Sequence, residues 1–297
     1  MDYSDRERIK ENDGNRHKGG GKDKGWVLVT GAYGGMGRRT TSLLRGQGYK
    51  VLALDLKVPD RSDDNSDYRS DDAGVVPIEV DVSDVGSVSS AFETAGRHTQ
   101  SICAIVHFAG RYAMDSLVEM TMEEFEDSFR TNVFGAFLVN RTFLPMLGAG
   151  GRIIMTTSEL APLDPLPFTG IYAVTKSTLD KYAYSLAMEL QLLGVKVSVI
   201  RAGAVSTNML GASTSALDRF CSNTRLYTCN ADRFKHVVDS IEAKSVPPER
   251  IASKVLRILG KRSPAFAYSV NRNPLLLLLN ALPKRLQLFA IRQILKT

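Results

Sequence analysis

The chain has 297 residues, of which 43% are hydrophobic and 24% charged, and its formal net charge is +6. That length suits one large α/β domain or at most two small ones, and the balance excludes a disordered or collagen-like chain. Part of the basic excess sits at the two ends, so it is no nucleic-acid footprint, and Cys103, Cys221 and Cys229 form neither a C-x-x-C pair nor a zinc spacing.

Met1 to Lys24 is polar, rich in charge and glycine, and lacks apolar periodicity. A disordered polar arm without a signal-peptide core is expected there, and one domain over residues 25–297. That domain opens with the apolar run Trp26–Thr30, a strand. The glycine loop Gly31-Ala-Tyr-Gly-Gly35-Met-Gly37 follows at once, and then a helical stretch from Arg38 to Arg45. Strand, glycine loop and helix in that order form a cradle for a pyrophosphate, which the positive helix N-terminus attracts. Tyr49 to Asp55 reads as a second strand. Asp55 stands where a carboxylate accepts hydrogen bonds from an adenosine ribose.

Lys57 to Gly74 is an aspartate-rich surface loop. Val75 to Val80 is a third strand, closed by Asp81 and Val82, and Asp84 is the N-cap of a helix through Ala95. The nearly continuous apolar run Ile102–Phe108 is a buried fourth strand that leads into Ala109 and Gly110. One long helix is expected over about Met122–Phe143, with Asn132 inside it. Gly151–Thr157 is a fifth strand with Ser158 at its end, and Val195–Ile200 a sixth that leads to Gly203. Alternating strands and helices predict a Rossmann-type α/β fold, a doubly wound parallel sheet. Gly31, Asp55, Asp81, Gly110, Ser158 and Gly203 all fall at strand C-termini, where such sheets bind ligands.

Between the last two of these strands stand Tyr172 and Lys176, four residues apart and so on one face of a helix. Leu179, Ala183, Leu186, Ala187 and Leu190 continue that helix at three- and four-residue steps. A phenol titrates near pKa ~10. An adjacent ammonium lowers that value and fits the tyrosine for proton exchange with an alcohol or carbonyl oxygen.

Together these residues resemble the short-chain dehydrogenase/reductase family over about Gly25 to Pro264. The glycine motif matches Thr30, Gly31, Gly35 and Gly37. The adenine-binding acid matches Asp81, the helix asparagine Asn132, the catalytic serine Ser158, and Y-x-x-x-K matches Tyr172 and Lys176. Two motifs depart from the family: N-N-A-G is replaced by His107-Phe-Ala-Gly110, and the P-G after strand six by Ala202-Gly203. The resemblance implies hydride exchange with a nicotinamide. Tyr172 would be the acid/base, Lys176 would lower its pKa and hold the ribose, Ser158 would bind the reacting oxygen, and Asn132 would position a water. It also implies cofactor contacts at Gly31, Tyr33, Gly35, Met36, Gly37, Asp55, Asp81, Val82, Ala109, Gly110, Tyr172, Lys176, Gly203, Val205 and Thr207. The altered motifs leave open a member that binds cofactor without turnover.

Asp55 would repel a 2′-phosphate, so NAD is the expected cofactor, with NADP possible. Ser206 to about Pro247 is long enough for a substrate lid. It carries Met209, Leu210, Leu217, Phe220, Leu226 and Tyr227, and the loop after Ser158 adds Leu160, Leu163, Leu166 and Phe168. These point to a hydrophobic small molecule, a secondary alcohol or ketone such as a hydroxysteroid, with retinol and other lipid alcohols as alternatives. Glu159, beside Ser158, has no assigned role. No apolar run reaches the ~18 residues of a membrane span, and a cytoplasmic protein is expected. The tail from about Asn273 to Thr297 is expected to be helical and apolar on one side, with basic residues beside it, suited to packing or to peripheral membrane contact. The resemblance suggests a homodimer or homotetramer.

Overall fold

The computed structural model describes residues 24–59, 74–242 and 245–296. Most of the polar arm and of the aspartate-rich loop therefore lies outside the described residues. Seven strands form one parallel sheet: β1 (Trp26–Thr30), β2 (Lys50–Asp55), β3 (Val75–Glu79), β4 (Ile102–His107), β5 (Leu147–Ser158), β6 (Lys196–Ala202) and β7 (Ala267–Val270). Their order is β3-β2-β1-β4-β5-β6-β7. The chain reverses direction across the sheet between β1 and β4, which pair from Val27 with Ala104 to Thr30 with His107. At such a reversal the two flanking loops splay apart and open a crevice beyond the strand ends.

Side-chain alternation along the strands divides the core between the two faces of the sheet. Leu28, Leu52 and Leu54 face the helices α2 (Val85–Gly96), α4 (Gly135–Phe143) and α5 (Gly170–Leu190), and meet Val88, Val139, Phe143 and Leu179 there. Val27, Val29, Val51 and Ala53 face α1 (Gly35–Gly46) and α8 (Glu249–Gly260), and meet Leu44, Ile251, Val255 and Ile258. Asp84 caps α2 as expected, its side chain accepting from Ser87 N–H.

The structure corrects the sequence reading in two elements. The helix expected over Met122–Phe143 is two helices, α3 (Met122–Phe129) and α4, joined by a π-helical turn at Arg130–Phe134. A π turn inserts a residue and reorients its neighbours, and this one contains Asn132. The tail is helical as expected, in two segments, α9 (Pro274–Ala281) and α10 (Lys284–Leu295). Leu282, preceding Pro283, is extended at ψ 148° because proline disfavours a helical residue before it. The edge strand β7 was not expected; four residues with a half-exposed pattern carry little periodic signal.

The segment expected to be a lid consists of α6 (Asn208–Asn223) and α7 (Thr228–Glu242). It has its own small core of Leu217, Phe220, Ala231 and Phe234 around Met114. Its base is clamped by a parallel bridge between Val205 and Val246.

Candidate active site

Two cavities lie side by side beyond the C-terminal ends of the strands. The larger, about 760 Å³, is lined by the glycine loop, Asp55, Asp81, Val82, Ala109 and Gly110. The smaller, about 210 Å³, is lined by Ser158, Tyr172, Lys176, Gly203 and Val205. Met36, Phe108, Tyr112 and Thr207 border both, so the two spaces are continuous.

The larger cleft has the donors and the clearance for a dinucleotide. Gly31 has φ +65°, and a Cβ there would lie 2.6 Å from the Ala109 nitrogen; a Cβ on Gly37 would lie 2.0 Å from the Gly31 carbonyl oxygen. Only glycine lets the loop turn this tightly against β4. Helix α1 begins behind it at the N-cap Gly34, with no side-chain cap and no acid in its first turn. Its N-terminal N–H groups and positive dipole end are left for an anion. Asp55 accepts from Tyr33 N–H at 2.7 Å and from Leu56 N–H at 2.8 Å, which fixes its carboxylate at the cleft. Asp81 is held by Ser83, whose N–H and hydroxyl both donate to Oδ1. These residues would hold a nicotinamide dinucleotide, the glycine loop its pyrophosphate and Asp55 and Asp81 its adenosine.

The smaller cavity holds Ser158, Tyr172 and Lys176, the residues expected to transfer the proton. Tyr172 and Lys176 lie on the first turns of α5, and Lys176 Nζ stands 5.7 Å from the Tyr172 ring centroid. Lys176 donates to the Thr156 carbonyl at 3.3 Å. The Ser158 hydroxyl hydrogen-bonds Tyr172, and Tyr112 packs on its ring at a centroid distance of 4.8 Å. Helix α5 is tied down at three points. Ser177 donates to the Ala161 carbonyl. Arg201 of β6 grips Asp180 with two bonds of 2.9 and 2.7 Å. Thr157 of β5 donates to the same carboxylate. The strand carrying Ser158 and the helix carrying Tyr172 are thus held in one register.

A family model described as short chain dehydrogenase matches residues 25–218. The chain belongs to that family. Versicolorin reductase of Emericella nidulans is 28% identical over 77% of this chain and 84% of that protein. The 3-ketodihydrosphingosine reductase of Bacteroides thetaiotaomicron is 24% identical over 90% of this chain and 96% of that protein. Among solved structures, a short-chain dehydrogenase/reductase from Serratia marcescens superposes with a TM-score of 0.67 at 20% identity, covering 84% of this chain and 96% of that one. A 3-ketoacyl-(acyl-carrier-protein) reductase from Brucella melitensis complexed with NADH superposes with a TM-score of 0.65 at 18% identity, covering 84% and 97%. As a short-chain dehydrogenase the protein is an oxidoreductase acting between CH–OH and carbonyl groups with an NAD(P) cofactor.

Several expected site residues also make contacts that the sequence does not show. Lys176 does not dominate the titration of Tyr172. Burial raises the phenol well above its ordinary value, and the Tyr112 hydroxyl adds to this while the Ser158 hydrogen bond opposes it. Burial also lowers Lys176, to about 8. The reason is that both groups are desolvated together, which disfavours each charged form. Asn132 lines neither cavity. Its amide accepts from Arg111 N–H at 2.7 Å and donates to the Arg111 carbonyl and to Thr175. It braces the loop after β4, the task left open by the altered N-N-A-G motif. The first residue of that motif, His107, is 5% exposed and bonds Asn140 at 2.8 Å. Asn140 in turn donates to Tyr182.

Tyr33 contributes its backbone N–H to Asp55, while its ring packs with the core beneath the sheet. In the lid, Leu217 and Phe220 are consumed by the lid's own core and Leu226 is 66% exposed. Phe168 and Tyr227 pack against that core as well. The lid faces the pocket instead with Phe234, Val237 and Val238 of α7. Leu160 and Leu166 do line the pocket, whereas Leu163 turns towards the tail. The side chains of Met209 and Leu210 lie outside the described residues. Arg111, Tyr112, Asp127 and Thr131 of the cleft wall were missed. Arg111 and Tyr112 follow Gly110 directly, a strand-end position that could have marked them. No group of metal-ligating side chains occurs among the described residues.

Proposed function

We propose that this protein interconverts a bulky, mainly apolar ketone and its secondary alcohol, with NAD(H) preferred over NADP(H). The observation that carries the reading is the pocket itself: Tyr172, Ser158 and Lys176 share it with Leu160, Leu166, Phe234, Val237 and Leu276. Apolar walls around a few convergent polar groups suit a large hydrophobic ligand whose one oxygen is held at the polar end. A bound nicotinamide supplies or accepts the hydride. The Tyr172 hydroxyl gives a proton to the carbonyl oxygen, or takes one from the alcohol. Its burial keeps it protonated at neutral pH, as reduction requires. Ser158 donates to the oxygen as negative charge develops there. Lys176, buried beside Tyr172, places positive charge where the phenolate forms. The reductase names of the versicolorin and 3-ketodihydrosphingosine relatives support the reductive direction.

A hydroxysteroid remains the specific substrate suggested by the leucine-rich tail and long lid, and it heads the panel that tests this function. The purified protein is assayed with NADH and NADPH against ketosteroids, retinal, long-chain 3-ketones, sugars and short ketones. Reduction of one of the first three classes is expected. Turnover confined to sugars or short polar ketones would mean that the pocket walls do not set specificity.

No helix among the described residues is long and apolar enough to cross a membrane. Peripheral contact is proposed instead, for a protein of the cytoplasm. Residues 273–297 contain no acid but carry Lys284, Arg285, Arg292 and Lys296. Leu275, Leu278, Leu286, Leu288 and Phe289 are all more than half exposed. Basic and apolar groups on one outward surface suit an anionic lipid layer. Exposed Phe134 of the π turn and Phe137 of α4, with Val174, Tyr184 and Met188 of α5, support self-association through those helices.

A further inference from the structure

The pocket beside Tyr172 contains one carboxylate, and the chemistry above gives it no task. Glu159 follows Ser158 at the end of β5 and is 7% exposed. The other ionisable side chains in that wall are Tyr112, Tyr172 and Lys176. Oε2 accepts from Asn273 N–H at 2.6 Å, where the tail leaves the domain. Oε1 lies over Gly203, where a Cβ would approach it to 2.9 Å. The ion pairs found among the described residues do not include Glu159. Burial raises its pKa, countered in part by the Asn273 hydrogen bond and the Arg272 charge.

The local fold needs an acceptor at this position but not a charge. A glutamine oxygen would take the Asn273 N–H equally well. A carboxylate in an apolar wall is costly unless a cation meets it. A neutral hydroxyl on a ligand would gain little from the charge, because amide or hydroxyl acceptors serve it; an ammonium gains a charge-assisted bond. Ser158 and Glu159 line the same cavity, so a ligand whose reacting oxygen meets Ser158 can bring a cation to Glu159.

We propose that Glu159 is an ammonium subsite, and that the substrate is an amino ketone, or the amino alcohol formed from it, with a large apolar remainder. This rests on the pocket reading above and narrows it to one class. It also excludes ketones carrying a carboxylate near the carbonyl, which Glu159 would repel.

The test compares a long-chain 3-ketone bearing a 2-amino group with its desamino counterpart, in the wild type and in Glu159→Gln. Glutamine keeps the acceptor for Asn273, and an unchanged melting temperature verifies that the tail stays anchored. The wild type is expected to favour the amino ketone in kcat/KM by about 10- to 100-fold, the range of a charge-assisted bond. Glu159→Gln is expected to lose that preference, so that the kcat/KM values of the two ketones converge. Equal losses on both ketones would assign Glu159 a purely structural role and overturn the proposal, as would a wild type without preference. Calorimetric titration of the NAD-loaded protein with decylamine and with decan-1-ol reads the subsite without turnover. Tighter binding of the amine, lost in Glu159→Gln, sustains the subsite even if neither ketone is reduced and the oxidoreductase reading of the pocket fails. Equal binding of amine and alcohol overturns it.

Discussion

His107 makes the fold sensitive to acid. Its ring is buried, and burial lowers its pKa from 6.5 to about 4; the Asn140 hydrogen bond opposes this shift, and the Lys176 charge reinforces it. Asn140 donates its amide to Tyr182, so its oxygen accepts from His107 Nε2–H and the neutral ring fills the site. A histidine with a depressed folded pKa contributes stability above its unfolded pKa. That contribution is lost as pH falls from 6.5 towards about 4, because the unfolded chain binds the proton first. Between neutral pH and about pH 5 the loss is about 2 kcal/mol, or about 4–8 °C in melting temperature for a domain of this size. The assay is thermal unfolding of wild type and His107→Asn at about pH 7.5 and about pH 5. Any cavity left by asparagine shifts both pH values alike, so the difference of differences isolates the proton. The wild type is expected to lose about 4–8 °C more than the variant on acidification. Parallel losses in the two proteins would show that His107 does not titrate with folding, and the argument from its burial would fail.

Tyr172→Phe is expected to lower kcat by about 10²- to 10⁴-fold while NADH binding, followed by nicotinamide fluorescence, stays near wild type; loss of binding with chemistry intact would contradict the acid/base role. Asp55→Ala is expected to relax the preference for NADH over NADPH by about tenfold, because a carboxylate at that cleft repels a 2′-phosphate; comparable efficiency with both cofactors in the wild type would refute it. Arg201→Ala leaves the buried Asp180 carboxylate without its bidentate partner and is expected to cost about 3–5 kcal/mol in denaturant unfolding; a change below about 1 kcal/mol would mean that the pair does not hold α5 to β6. The protein is expected to sediment with anionic but not zwitterionic vesicles, and Arg285→Glu with Arg292→Glu to release it; pelleting that ignores lipid charge, or none, would leave the tail a packing role only.

The sheet and its reaction centre were legible in the sequence because their signals are local. A short apolar strand, a glycine loop and a helix follow one another within some twenty residues at Trp26–Gly46. Tyr172 and Lys176 share a helical face through their spacing alone. The strand ends at Thr30, Asp55, Ser158 and Ala202 follow from apolar runs that stop. Parallel pairing then brings these ends to one edge of the sheet.

Less was legible where two distant segments compete for a side chain. The π turn that carries Asn132 has no mark in the spacing, and it directs the amide to the Arg111 backbone. Leu217 and Phe220 read as pocket residues by type, yet the lid needs them for a core of its own. Phe234 and Val237, which do face the pocket, carry no distinguishing mark in the sequence.

Sequence by itself thus determined the succession of strands and helices along the chain, the glycine loop and the residue types expected to transfer a proton, since each depends on neighbours within a few turns. Only the tertiary structure decided the state in which those residues work. Desolvation depends on everything packed around a group, so it was the fold that raised Tyr172, lowered Lys176 and His107, and enclosed Glu159 in an apolar wall.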